Sequence, residues 1–285
     1  SIAFCITPNH RVFTQKVNSN KSGRERYGGL RERTVDDIEG KQVVYDNGFD
    51  WDGDSQDYFI LPATDDADAV EIPMDSWLRF LGWYVAEGYV KQRKDRPNNY
   101  RVGFSQSKDS VWLSDLEQAL TRVGDDLGIG VEKREEDDVL RYELFSKQLA
   151  AYLDDFGKSA QKSIPADIKQ LDQPLLRTLL SALIKGDGSH RSEERDSMRY
   201  FTRSEQLADD VQEIALKCGY SSVVSYQSKH NRYVVGITEG PRVHVNHDEP
   251  TDEFVNYSGK VWCVTVPGDG IVFVRRNGKP VWSGN

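Results

Sequence analysis

Two stretches of the chain, beginning near Asp75 and near Gln173, follow one plan. In the first, Trp77, Leu78, Leu81, Tyr84 and Val85 recur at helical spacing, with Asp75 or Ser76 placed as N-cap and Gly88 as the stop. In the second, Leu176, Leu179, Leu180, Leu183 and Ile184 give residues 173–185 one apolar surface, ending at Gly186-Asp187-Gly188. Each predicted helix continues into strand-like sequence and then a second amphipathic helix: 100–105 then 110–127, and 198–202 then 204–216. Residues 140–145 and 233–237 are further strand candidates. A plan repeated in this way predicts two similar α+β halves.

The ends of the chain have a different character. Residues 2–6 and 42–45 read as short β-segments between Gly, Asn and Asp turns, and the apolar run 58–62 precedes a linker-like stretch at 65–70, so a boundary is expected near 70. After residue 239, β character returns at 261–266 and 271–275, with a turn at Asn277-Gly278 before Pro280-Val281-Trp282. With 285 residues, two structural units are the natural expectation. β-rich ends around a mixed middle predict one domain inserted into another, at a loop whose ends lie close together.

Charge and cysteine usage narrow the function. The chain carries 37 basic against 46 acidic side chains, which argues against coating nucleic acid through bulk charge. Residues 75–235 are close to balance, with 24 basic and 26 acidic, so a basic face is compatible with the middle. Clusters such as Asp65-Asp66 and Glu135-Glu136-Asp137-Asp138 read as solvated surface or as adaptation to high salt. Cys5, Cys218 and Cys263 lack metal-ligand spacing and suit a reducing interior. There is no membrane-length apolar run and no signal-peptide pattern, so the chain is read as soluble and cytoplasmic.

Leu81-Gly82-Trp83-Tyr84-Val85-Ala86-Glu87-Gly88 and Leu180-Ser181-Ala182-Leu183-Ile184-Lys185-Gly186-Asp187-Gly188 resemble two copies of the LAGLIDADG motif of homing endonucleases, their acids 100 residues apart. Small residues at 82, 86, 181, 182 and 186 would let two helices approach along a pseudo-twofold axis. Glu87 and Asp187 would then meet, a like-charge pair suited to divalent metal, with oxygen ligands favouring Mg²⁺. The resemblance implies hydrolysis of one phosphodiester in each strand of a double-stranded DNA homing site, with Glu87 and Asp187 as metal ligands. It gives Lys162 a role in positioning water or neutralising the phosphate; Lys229 matches the equivalent position less well. Both lysines can also be read as solvated side chains. The family reads DNA with β-ribbons, which would place Arg101, Arg141, Arg199, Arg203 and Arg232 against the duplex; these arginines can equally be surface solubilisers.

The flanks resemble a second family. Cys5-Ile6-Thr7-Pro8-Asn9-His10-Arg11-Val12 is similar to the intein block that contacts the N-terminal splice junction, and the segments 259–267 and 274–285 resemble the two terminal intein blocks. Protein splicing needs a proton donor for an amide nitrogen and a polarised carbonyl, roles that the resemblance gives to His10 and Thr7. Asn285 would cyclise onto its own carbonyl. Cys263 would tune proton transfer or act as nucleophile, or else be a small buried hydrophobe. Gly284 stands where many inteins have His. Thr7 comes too early for the usual opening block, so a separate or truncated N-terminal intein segment is expected. The implied partners are DNA, a flanking extein protein and that segment.

The expected fold is therefore an all-β Hint-type horseshoe, residues 1–70 and 239–285, interrupted by an α+β LAGLIDADG endonuclease over 71–238. A free-standing LAGLIDADG endonuclease or maturase would account for the middle alone. An intein whose nuclease has decayed is a third possibility.

Overall fold

The structure is a computed structural model that describes residues 5–19, 25–48, 50–93, 96–192, 197–240, 242–247, 253, 255–260, 264–266 and 270–284. Cys5 and Ile6 are irregular, where a strand was expected over 2–6, and residues 2–4 lie outside the described residues. A turn follows, closed by the His10 N–H donating to the Thr7 carbonyl at 3.0 Å. The chain then forms β1 (Val12–Ser19), β2 (Glu25–Tyr27), β3 (Arg31–Arg33), the short α1 (Val35–Ile38) and β4 (Gln42–Asp46). A hairpin of β5 (Tyr58–Leu61) and β6 (Val70–Pro73) runs directly into α2 (Met74–Glu87), followed by β7 (Gly88–Arg93), β8 (Arg96–Ser107), α3 (Leu113–Asp126), β9 (Val131–Glu136) and β10 (Val139–Leu144). After α4 (Lys147–Asp154), the order repeats as α5 (Gln173–Asp187), β11 (Gly188–Ser192), β12 (Ser197–Thr202), α6 (Glu205–Lys217), β13 (Tyr220–Gln227) and β14 (Arg232–Glu239). The last described elements are β15 (Arg242–Asn246), β16 (Ile271–Arg276) and β17 (Lys279–Gly284).

The repeat is topological as well as sequential. Both halves are αββαββ, and their sheets have corresponding strand orders, β7-β8-β10-β9 and β11-β12-β14-β13. Strand alternation decides what each sheet buries. Val102, Phe104, Tyr142 and Leu144 pack towards the helices in the first half, as do Tyr200, Val235 and Ile237 in the second, within one continuous apolar core. The alternate positions, including Arg101 and Arg199, therefore lie on the opposite faces.

A third sheet gathers strands from both ends of the chain in the order β15-β4-β1-β17-β16, with β2 and β3 also paired to β1. It has its own small core of Val12, Ile38, Val43, Tyr45 and Val281. The β5–β6 hairpin does not join this sheet. Phe59 stacks on Trp77 with ring centroids 4.0 Å apart, and Leu61 and Ile72 are buried in the core of the repeats. Packing onto the helical unit thus begins before residue 70, because the segment expected as a linker is the turn of a hairpin that seals the start of α2.

Several element ends differ from the sequence reading for local reasons. The N-cap of α2 is Pro73, two residues before the earlier of the two expected caps, and the Met74 N–H is satisfied by the Asp57 carbonyl at 2.8 Å. Asp75 lies within the first turn and pairs with Arg79 at 2.9 Å. α5 is capped by the Asp172 side chain, which accepts from the Leu175 N–H, and it continues through Gly186 and Asp187. Residues 264–266 are irregular where a strand was expected, and 261–263 lie outside the described residues. No helix among the described residues is long and apolar enough to cross a membrane.

Candidate functional site

The two helices that head the repeats cross through small residues. A Cβ built on Gly82 would fall 2.5 Å from the Ala182 Cβ, and one on Gly186 would fall 2.3 Å from the Ala86 Cβ. Residues 82 and 182, and 86 and 186, are each other's counterparts at the 100-residue offset, so the pseudo-twofold axis runs through these contacts. The next residues along, Glu87 and Asp187, are the last of their helices.

These acids sit in an unfavourable place for charge. Burial lifts the Glu87 carboxyl to about 7; Asp187 raises it further and Lys162 opposes. Burial likewise lifts Asp187 to about 6, again opposed by Lys162. Like charges at helix C-termini, where the helix dipole is also negative, repel a proton-free state unless a cation is nearby. Both acids line a cavity of about 750 Å³ together with Tyr89, Lys162, Arg203, His230 and Arg232.

Lys162 is a buried cation rather than a solvated side chain, with 9% of its surface exposed. Its Nζ donates to the carbonyls of Tyr84 (3.0 Å), Val85 (2.9 Å) and Gly88 (2.8 Å). Those three bonds use every proton an ammonium has and clamp the end of α2, where the Tyr84 carbonyl also accepts from the Gly88 N–H. Burial pulls its pKa down to about 8, against the pull of Asp187 and Glu87. Lys162→Met is expected to destabilise the protein by about 2 kcal/mol through loss of those buried bonds. It should also move the Glu87 titration upwards; denaturant melts and a carboxyl titration followed by NMR check the two effects.

Lys229 is exposed, in a short 3₁₀ turn, and does not line the cavity. Its neighbour His230 does, as do Arg203 and Arg232. The Arg232 guanidinium lies 4.3 Å over the Phe201 ring, and its Nε donates to Gln227 Oε1 at 3.0 Å, fixing the fork at the cavity edge. Arg203 and Arg232 were candidates from the sequence and His230 was not; the pairing of β12 with β14 brings the three together. In the first half, Arg101 is paired with Glu143 at 2.9 Å and Arg141 with Glu136 at 2.7 Å.

At the third sheet, His10 Nε2 and Ser283 Oγ are hydrogen-bonded at 2.7 Å. Burial, then Arg11, lowers the His10 pKa, so the imidazole is neutral at pH 7 and able to accept the Ser283 proton through Nε2. Thr7 is exposed on the turn beside it. The Gly284 N–H donates to the Arg11 carbonyl at 2.9 Å, and a Cβ on Gly284 would fall 2.7 Å from the Arg11 Cβ. A histidine at that position has no room in this arrangement. Cys263 and Asn285 lie outside the described residues. Cys218 is buried, which pushes its thiol up to about 12 and leaves it inert at neutral pH, whereas Cys5 is exposed.

A family model described as a LAGLIDADG-like domain matches residues 174–256. This segment of the chain is similar to LAGLIDADG domains. The match begins at the start of α5 and takes in the whole second repeat. Among curated proteins, the chain is 29% identical to an ATP-dependent Clp protease proteolytic subunit of Chlamydomonas moewusii, over 78% of this chain and 22% of that protein. It is 26% identical to the C-terminal section of a DNA-directed RNA polymerase subunit beta of Stigeoclonium helveticum, over 98% of this chain and 30% of that protein. Similarity to the DNA polymerase II large subunit of Thermococcus kodakarensis is 28% over 70% of this chain and 10% of that protein. The chain thus spans less than a third of the length of each of these relatives. Among solved structures, I-DmoI in complex with DNA and Mn aligns with a TM-score of 0.47 at 16% identity, covering 57% of this chain and 89% of that one. The homing endonuclease I-WcaI bound to its DNA recognition sequence aligns with a TM-score of 0.40 at 12% identity, covering 59% and 76%.

Proposed function

We propose that the LAGLIDADG domain cuts both strands of a specific double-stranded DNA site, and that it is carried inside a protein-splicing element. The observation that carries the first half is the pair Glu87 and Asp187, brought together by helices in contact along their repeat axis and half-buried at the cost of raised pKa values. The donor set fits Mg²⁺, which is commonly held by one or two carboxylates and completes its shell with water and substrate phosphate oxygens. Among the described residues no larger cluster of His, Cys, Asp and Glu competes for a metal. When bound, the ion supplies charge stabilisation for phosphodiester hydrolysis.

The chain's own residues set the rest of the site. Glu87 and Asp187 must give up their shared excess of protons to hold a cation. Lys162 keeps the end of α2 closed and offsets the negative pair. Arg203 and Arg232 line the same cavity from the second half, placed to meet the phosphates of a duplex laid across the sheet faces.

Splicing is supported by the His10–Ser283 bond and by the relatives, whose named activities range from proteolysis to RNA and DNA synthesis and which match this chain over less than a third of their own length. A segment that travels between unrelated proteins gives that pattern. In this reading the splicing unit comprises 1–70 and 239–285 and the nuclease 71–238, with β5 and β6 packed on the nuclease. Thr7, His10, Cys263 and Asn285 serve the splice junctions of a flanking extein.

Incubation of the protein with host coding DNA from which the insert has been removed is expected to give a double-strand cut near the insertion point in Mg²⁺ and none in chelator. Intact DNA at every salt concentration tried would overturn the nuclease assignment.

A further inference from the structure

The β16–β17 hairpin carries Ser283 and is held in its own sheet mainly along β17, by Val281 in the small core, by the Trp282 Nε1–H donating to the Gly48 carbonyl at 3.0 Å and by the Gly284 N–H donating to the Arg11 carbonyl at 2.9 Å. Among the described residues, β17 meets β1 at a single register pair, Val12 with Ser283, and β16 lies at the edge of the sheet. A two-stranded hairpin has marginal stability alone. Its turn is held separately, by the second LAGLIDADG repeat. The Gly278 carbonyl accepts from the Gln212 side chain at 2.8 Å and from the Val224 N–H at 3.0 Å.

The receiving surface is built for this contact. Gln212, on α6, is 1% exposed, and every part of its amide is used: Nε2 also donates to the Ser222 carbonyl at 3.1 Å, and Oε1 accepts from Arg275 at 3.2 Å. Arg275 in turn pairs with Asp209 at 2.7 Å. Gly278 has φ +69, and a Cβ there would fall 2.5 Å from the Val224 carbonyl oxygen. A buried amide with both ends satisfied by another unit fixes a position far more closely than apolar contact does.

We infer that the second repeat is one wall of the splicing corner: Gln212 and the Asp209–Arg275 pair hold the hairpin, and through it set Ser283 against His10. These are positioning residues, and the inference rests on the splicing reading for its functional consequence. It implies that the nuclease cannot be deleted as a free insert without moving the splice site.

The test uses the full chain supplied with an N-terminal intein segment, with both flanks fused to reporters. Gln212→Leu, Arg275→Asp and Asp209→Arg are made singly, and the last two are combined as a charge swap. The His10 imidazole, followed by NMR, is expected to titrate upwards towards about 6.5 in each single variant as the corner opens. The swap should restore it. Splicing should slow by roughly 10- to 100-fold in the single variants, as expected for misplacement of reacting groups, and recover in the swap. Unchanged His10 titration in all of them, or unchanged splicing where the wild type splices, overturns the inference. If His10 moves as expected but the wild type forms no more product than its Asn285→Ala control, the docking stands and the splicing reading falls.

Discussion

Glu87→Gln and Asp187→Asn are each expected to lower DNA cleavage by at least about 100-fold, since loss of even outer-shell partners of a metal commonly costs 10- to 100-fold. The same variants should make the metal-free protein more stable at pH 8. The sign follows from the direction of the shifts. Both carboxyls have folded-state pKa values above their ordinary ones, Glu87 near 7 and Asp187 near 6, so the folded protein holds protons that the unfolded chain releases. That contribution to stability is complete below the ordinary carboxylate pKa and is lost as pH rises through the folded values. Neutral amides escape the loss. Cleavage should rise with pH over the same window, because a cation must displace those protons. Thermal melts at pH 5 and 8, with and without Mg²⁺, check the stability half. A variant that cuts at the wild-type rate would remove Glu87 or Asp187 from the site.

Gly186→Val and Gly82→Val are expected to be among the most destabilising single substitutions in the chain. In a helix interior a residue other than Gly would ordinarily gain a few tenths to about 1 kcal/mol from propensity. Here the first side-chain carbon already falls 2.3 Å from Ala86 or 2.5 Å from Ala182, far inside van der Waals contact. Forcing the helices apart costs about 1–3 kcal/mol or more and exceeds that gain. Because Glu87 and Asp187 follow directly on these contacts, activity should fall further than stability. Denaturant unfolding beside cleavage assays separates the effects. Gly186→Ala paired with Ala86→Gly moves the same methyl across the interface and should recover much of the stability.

The repeat was legible in the sequence because a helix that packs on one side must show its apolar residues at helical spacing. The acids were legible because they end both copies. Lys162 was visible as a candidate, but its contacts with the end of α2 were not: its partners are backbone carbonyls 74 to 78 residues away, which leave no mark in side-chain pattern. Arg203, His230 and Arg232 surround the cavity because β12 and β14 pair in one register, whereas nearby Lys229 points to no part of it. The linker expected at 65–70 failed for a related reason. Its polar residues signal a turn, and turn chemistry does not say whether the flanking strands belong to the domain before or after.

What the sequence determined by itself is what local physics can enforce: two helices with small residues on one face and an acid at each end, strands of alternating character, and a β-turn at Asn277-Gly278. Only the tertiary structure decided which of these meet. Residues 82 and 182 touch, His10 reaches Ser283, and the C-terminal hairpin rests on α6, through contacts between segments up to 273 residues apart. Such contacts depend on the free energy of the whole packed arrangement, where a buried Gln212 is tolerable because a distant turn supplies its partner.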